Sequence, residues 1–488
     1  MDFIYEYLAP MTELLISLLL FSVFSWGTIL VLRKIGMWDK PMRLLFAFVL
    51  VTHLAGALFV YYANFYAPLE TQGDQPRYQG VAVRVAEDFR QGNFSLEAIA
   101  EHQNVSAISN WYPVMLAVFY ALLIPSQVLG IIISVWLAII GVFLVCGIAR
   151  ELGASNRAAS LAGFAAALYP TYGYLGGLIL KDVLVVPLVL LGTLLLVKMI
   201  KRFSWTQFLL LYMALFALIH LRFYIGFIVM YAFVFVWPFF LGFTLKKKLS
   251  YGFFAIVLIG TIPMFFEHGY FGIKSLKNYT SSEIIVLYRE SAYVPINLSS
   301  IPAENPPNTP PSTPPSTPPD TPPDTPPSTP SDNPSSAPPD NLPNIPPDKP
   351  YKGPDATVVV KAELDRPLLF IRNSFVSFFY VLLGPFPWHL KLPRHMFTLV
   401  ETIPWAVMFM FIVRSIVLSR EKWRVMLPVL LVGFGIIFVI SFLIDNFGIY
   451  MRIRMPAFLL LLTLFPLGPP LLEHLKKRTS PVMIKNSH

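Results

Sequence analysis

Residues 44–65 read LLFAFVLVTHLAGALFVYYANF, an apolar run interrupted only by Thr52, His53 and Asn64. A helix needs about 20 such residues to cross the hydrocarbon core of a bilayer. The run therefore predicts a spanning helix. After it comes Gly73-Asp74-Gln75-Pro76-Arg77-Tyr78. Asp74 thus emerges at a membrane surface, beside an arginine and a tyrosine, where an acid can take a proton from a substrate arriving at the lipid.

Working outward, the same kind of run recurs. The chain is 55% hydrophobic and 13% charged, with a mean hydropathy of +0.61. Soluble domains carry about 25% charged residues. The fold class is an all-α polytopic membrane protein. Spanning helices are expected near 11–32, 43–65, 129–148, 158–172, 182–200, 206–221, 224–243, 250–266, 397–416, 424–444 and 455–472. Cys146 is the single cysteine, so no intrachain disulfide and no cysteine metal site can form. The net charge of +9 does not point to nucleic acid, because the basic residues are scattered over short loops. The first apolar run lacks a basic n-region and an A-x-A-like exit, and reads as a retained helix.

Those loops set the orientation. Arg33, Lys34, Lys40 and Arg43 form one cluster; Arg150 with Arg157, Lys198 with Lys201 and Arg202, and Lys246–Lys248 form others. Arg414, Arg420, Lys422 and Arg424 precede a last group, Lys476, Lys477 and Arg478. With eleven spans, all fall on one side, expected to be cytoplasmic. The N-terminus is then outside. Tyr112–Ile124 and Leu368–Leu383 are expected to lie on, or dip into, the outer face; counting them as spans gives the alternative of thirteen. The chain divides into two N-terminal spans (1–65), an outer loop (66–128), a transmembrane core (129–266), a second outer loop (267–396), C-terminal spans (397–472) and a tail (473–488). The second outer loop holds a Pro-rich stretch, 302–350, which favours extended polyproline II and reads as a spacer.

Several polar residues stand at outer helix mouths. Asp182, in Leu180-Lys181-Asp182, opens an apolar helix. A carboxylate there is costly unless paired or used, and its plainer reading is a helix cap. Asp74 also has a plainer reading, an acid capping a helix over Gln79–Arg90. His220 and Arg222 interrupt a long apolar run, as the turn of a tight helical hairpin would. Glu401 starts the ninth expected span. Arg452 and Arg454, in Tyr450-Met451-Arg452-Ile453-Arg454-Met455-Pro456, oppose the topology rule on the outer face. A guanidinium there suits phosphate, whose oxygens it grips in pairs. Acids with Lys181, Arg222, Arg452 and Arg454 fit transfer from a lipid phosphate: an acid takes the acceptor proton and cations stabilise the departing phosphate.

This order of features resembles the GT-C fold glycosyltransferases, a superfamily that includes protein O-mannosyltransferases and the aminoarabinose transferase of lipid A. The resemblance rests on the Asp74 segment, on Ala149-Arg150-Glu151-Leu152-Gly153 leading into the small-residue helix Ala158–Leu168, on Tyr169-Pro170 before Leu180-Lys181-Asp182, and on Arg452–Pro456. It implies an extracytoplasmic enzyme of a bacterial plasma membrane that moves a sugar from a polyprenyl-phosphate donor to an acceptor lipid, glycan or protein, usually with inversion. Asp74 matches the catalytic base and Asp182 the second-loop acid, which in some members helps to bind a divalent metal. Arg77, Tyr78, Lys181, His220, Arg222, Glu401, Arg452 and Arg454 would contact substrate. The chain departs from the pattern in an extra leading span, the lack of a D-x-D in the first loop, the lack of a large soluble C-terminal domain, and the Pro-rich insertion. A transporter or flippase of lipid-linked sugars, or a polymerase, is the competing expectation. Against transport stands the lack of internal repeats and of mid-span charges.

Overall fold

The computed structural model describes residues 2–63, 74–103, 110–279, 367–387, 399–443 and 447–467. The Pro-rich stretch 302–350, the tail and the far end of the last expected span lie outside them. Among the described residues every regular element is helical. Eight helices are long and apolar enough to cross a membrane. Leu15, Leu19, Phe253 and many other large apolar side chains face outward. A water-soluble monomer does not tolerate so much exposed apolar surface; a lipid-facing bundle requires it.

Gln127–Glu151 is the central post, with 83% of its apolar window buried. It is apolar all round, as a helix surrounded by others must be. The N-terminal helix Asp2–Lys34 runs parallel to it. Ser126 donates to Glu13 at 2.7 Å, Trp136 donates to Thr28 at 3.2 Å, and Arg150 donates to the Ile35 carbonyl at 3.3 Å. Asp182–Lys201 is parallel to the post as well, because Lys201 at its end meets Glu151 at the end of the post, 3.0 Å apart. Asp39 caps the second helix, Lys40–Tyr62, accepting from the Met42 amide at 3.3 Å.

The window Trp205–Phe239 is the informative case, because it is one helix by hydrogen bonding and two by path. Arg222 leaves helical geometry at φ −150° and ψ 86°. In a straight helix, residues seven apart are about 10 Å apart along the axis. Here a Cβ at Gly226 would sit 3.0 Å from the Ile219 backbone nitrogen. Further down, Phe208 and Phe233 meet with ring centroids 5.8 Å apart. The segment is a helical hairpin turning at Arg222, as its interrupted apolar run predicts. The basic loops also converge. Besides the Arg150–Ile35 and Glu151–Lys201 contacts, the Leu241 amide donates to Ile200, Lys248 donates to Pro238, and Phe239 packs on Trp423. These loops share one end of the bundle, and the mouth of Asp182–Lys201 lies at the other.

Some expectations need correction. The span expected over 158–172 is two helices, Asn156–Ala167 and Pro170–Gly176. Pro170 has no amide to continue the first and starts the second. The helix expected over Gln79–Arg90 begins at Asp74, since Pro76 is tolerated in a first turn. Pro367–Leu383 does not lie flat. It runs antiparallel to Trp423–Leu443, with Phe370 against Phe442 and Phe378 against Phe434.

Candidate functional site

The site is assembled at the mouth of the helix Asp182–Lys201. Asp74 opens the helix Asp74–Arg90, which is not a candidate span. Two contacts hold that helix down. Buried Gln75 accepts from the Ile179 amide at 3.2 Å, and Gln79 accepts from the Tyr120 hydroxyl at 2.5 Å. At its far end Arg90 donates to the Tyr120, Ala121 and Leu123 carbonyls, satisfying the end of the helix Tyr112–Leu122. Asp74 is thereby fixed above Asp182.

Arg452, in the short helix Phe447–Ile453, joins the two acids. Its Nη1 and Nη2 donate to one Asp74 oxygen at 3.0 Å each. Its Nε and Nη2 donate to Asp182 Oδ2 at 3.2 and 2.9 Å. The other Asp182 oxygen is 2.5 Å from Arg222 Nη2, presented by the hairpin turn. Arg222 Nη1 also donates to the Tyr224 hydroxyl at 2.6 Å, while its buried Nε has no partner among the described residues. The result is one chain of charge, Asp74–Arg452–Asp182–Arg222, built from four distant segments.

Exposure separates the two acids. The Asp182 side chain is 3% exposed and that of Asp74 is 43% exposed. Only Asp74 is open to an incoming molecule; Asp182 orients the arginines. Burial opposes the Arg452 charge, but Asp182 and Asp74 outweigh it and raise its pKa. Burial, with the Asp74 and Asp182 carboxylates, likewise raises the Tyr78 phenol, which stays protonated beside the network. Lys181 lies next to it with no carboxylate at ion-pair distance among the described residues. Burial and the Arg222 charge bring its pKa down to about 8. Asp74, Asp182, Arg222 and Arg452 balance two against two. Protonated Lys181 adds one positive charge to these four, and Glu97 and Glu267 line the cavity beside it.

A cavity of about 640 Å³ opens beside Lys181 and Arg222, also lined by Trp111, His220, Glu267 and His268. His220 is held between Trp111 and Phe266, ring centroids 5.3 and 3.6 Å away. Glu267 on the cavity wall, and Phe271 four residues further on, are non-glycine residues with φ of 60° and 52°. Such backbone costs about 1–3 kcal/mol per residue and persists only where packing enforces it. His268 Nδ1, 2.7 Å from the Ser275 hydroxyl, is part of that packing.

The remaining expected contacts go elsewhere. Arg77 points away and donates to the Gln103 carbonyl at 3.4 Å. Glu401 and Arg454 form a separate, fully enclosed pair 3.1 Å apart. Arg454 also donates to the Val381 and Gly384 carbonyls, and Glu401 accepts from the Tyr169 hydroxyl and from Thr171. With Arg454 wholly buried over Phe458, this pair is a clasp between helices and has no face for substrate. Gln75, Trp111 and Tyr224 had no prior sequence signal beyond their place near helix mouths.

The donor set does not fit a divalent metal. Both Asp182 oxygens are taken by guanidinium groups, and no group of three His, Cys, Asp or Glu converges among the described residues. Comparison of the chain with family models, with curated proteins and with solved structures finds no match.

Proposed function

We propose that the chain is a membrane glycosyltransferase of GT-C type. It would cross the membrane eleven times and work on the outer face of a bacterial plasma membrane. The donor is a polyprenyl-phosphate-linked sugar, and the acceptor is a hydroxyl on a lipid, glycan or protein. The observation that carries this reading is the Asp74–Arg452–Asp182–Arg222 network at a helix mouth, with Lys181 and a cavity beside it. An exposed carboxylate beside Lys181, Arg222 and Arg452 suits displacement of a phosphate. The side on which the basic loops gather supports the orientation.

In this mechanism the donor phosphate binds Lys181 and Arg222, whose buried Nε has no partner among the described residues. Phosphate also competes for Arg452 and releases the Asp74 carboxylate. Asp74 then takes the acceptor hydroxyl proton as that oxygen attacks the anomeric carbon. The bond from that carbon to the phosphate oxygen breaks, its electron pair leaves with the phosphate, and the arginines and Lys181 stabilise the added charge. Attack from the face opposite the phosphate inverts the anomeric centre. The test is transfer of label from polyprenyl-phosphate sugars in membranes containing the chain. Label reaching an acceptor only when the chain is present supports the reading. Movement of intact donor across the bilayer, without transfer, would instead make the chain a flippase.

A further inference from the structure

The opposite end of the bundle carries a second site that the transfer chemistry does not use. A cavity of about 610 Å³ lies where Gln127–Glu151 and Asp182–Lys201 end and the helical hairpin begins. It is lined by Glu151, Lys198, Lys201, Arg202, Phe203, Ser204 and Gln207. A smaller one, about 380 Å³, adjoins it, shares Glu151 and Lys198, and adds Arg150. Four cations thus surround one carboxylate.

The plain account of such cations is that they finish helix C-termini, and part of the cluster does this. Lys201 donates to the Glu151 carbonyl and sits 3.0 Å from its carboxylate, and Lys198 lies 3.9 Å from the same carboxylate. Glu151 is then spent. Arg202 has no carboxylate partner among the described residues, and Arg150 reaches only the Ile35 carbonyl. A second observation points to a ligand. The side-chain carbonyl oxygen of Gln207, on the wall of the larger cavity, is buried without a hydrogen-bond partner. A buried unpaired polar atom is destabilising unless something fills its valence, and here the missing group is a donor such as a hydroxyl. The surroundings are apolar. Leu209, Leu210 and Met213 are exposed along the helix below Gln207, and Trp205 is exposed at its level, as interfacial tryptophan commonly is.

We propose that these cavities form a binding site for an anionic phospholipid whose headgroup carries free hydroxyls, such as a phosphatidylglycerol. Its phosphodiester pairs with Arg202 and Lys198, a glycerol hydroxyl donates to Gln207, and the acyl chains lie over Leu209, Leu210 and Met213. Basic pockets between spanning helices bind anionic headgroups in this way. The site is about 30 Å from the Asp182 network, along the 20-residue helix that joins them.

The test uses the full chain in lipid nanodiscs, with retained lipid counted by native mass spectrometry. Phosphatidylglycerol should be retained at least five-fold over phosphatidylcholine. The double variant Lys198→Gln with Arg202→Gln should lose that preference, while Lys246→Gln with Lys247→Gln, on another basic loop, should keep it. Gln207→Leu should keep selection for negative charge but lose the preference for phosphatidylglycerol over methyl-capped phosphatidic acid. Equal retention of all lipids, or a preference untouched by the first double variant, would overturn the proposal. So would full displacement by millimolar glycerol phosphate, which would make the ligand a soluble phosphate. None of these readouts depends on sugar transfer.

Discussion

Arg452 is the residue on which the site turns. It bridges an acid 378 positions away and another 270 positions away; its loss strips Asp74 of its guanidinium partner and leaves buried Asp182 with Arg222 alone. Breaking a buried pair from one side costs about 3–5 kcal/mol. Arg452→Gln should therefore lower thermal stability in detergent as well as abolish transfer. Arg452→Lys keeps the charge but cannot span two carboxylates, and should recover stability better than activity. Lys181 makes a different prediction. With a pKa of about 8 it carries its charge below that pH and loses it above. Donor phosphate affinity should fall as pH rises through about 8. Lys181→Arg should abolish that fall, because a guanidinium stays charged. An unchanged pH profile in Lys181→Arg, measured as donor KM, would remove Lys181 from the phosphate site.

At the scale of the element, the hairpin Trp205–Val236 presents Arg222 to Asp182. Its turn is tight because Gly226 lets two backbones touch. A Cβ there would stand 2.6 Å from Ile219 Cγ1. Gly226→Ala should cost about 1–3 kcal/mol by overpacking, seen as a lower melting temperature, and should slow transfer by shifting Arg222. The hairpin was legible in the sequence, because two polar residues in an otherwise unbroken apolar run leave few other places to turn. The break at Tyr169-Pro170 was less so, since proline sits inside other helices of this chain, such as Pro187 and Pro404. Glu401 and Arg454 look like site residues by position and prove to be a closed clasp. Nothing in a linear sequence separates a charge that faces a cavity from one that faces its partner. Glu401→Gln should accordingly destabilise the fold, while surviving protein keeps its donor KM.

For the whole molecule, the charged loops were the most informative part of the sequence, and the structure gathers the described ones at one end. What could not be read was which helices touch. Gln127–Glu151 is apolar on every face, so its pattern names no partner, and the meeting of Asp74, Asp182, Arg222 and Arg452 depends on packing between such helices. The two proposals then fall at opposite ends of the bundle, phosphate chemistry at one and lipid capture at the other. The central claim is that Asp74 is the base of a sugar transfer from a lipid phosphate. It is tested most directly by comparing the parent chain with Asp74→Asn for labelled-sugar transfer and for binding of the same polyprenyl-phosphate donor. Transfer should fall by about 10²–10⁴-fold with donor binding retained. Transfer at the parental rate in Asp74→Asn would contradict it.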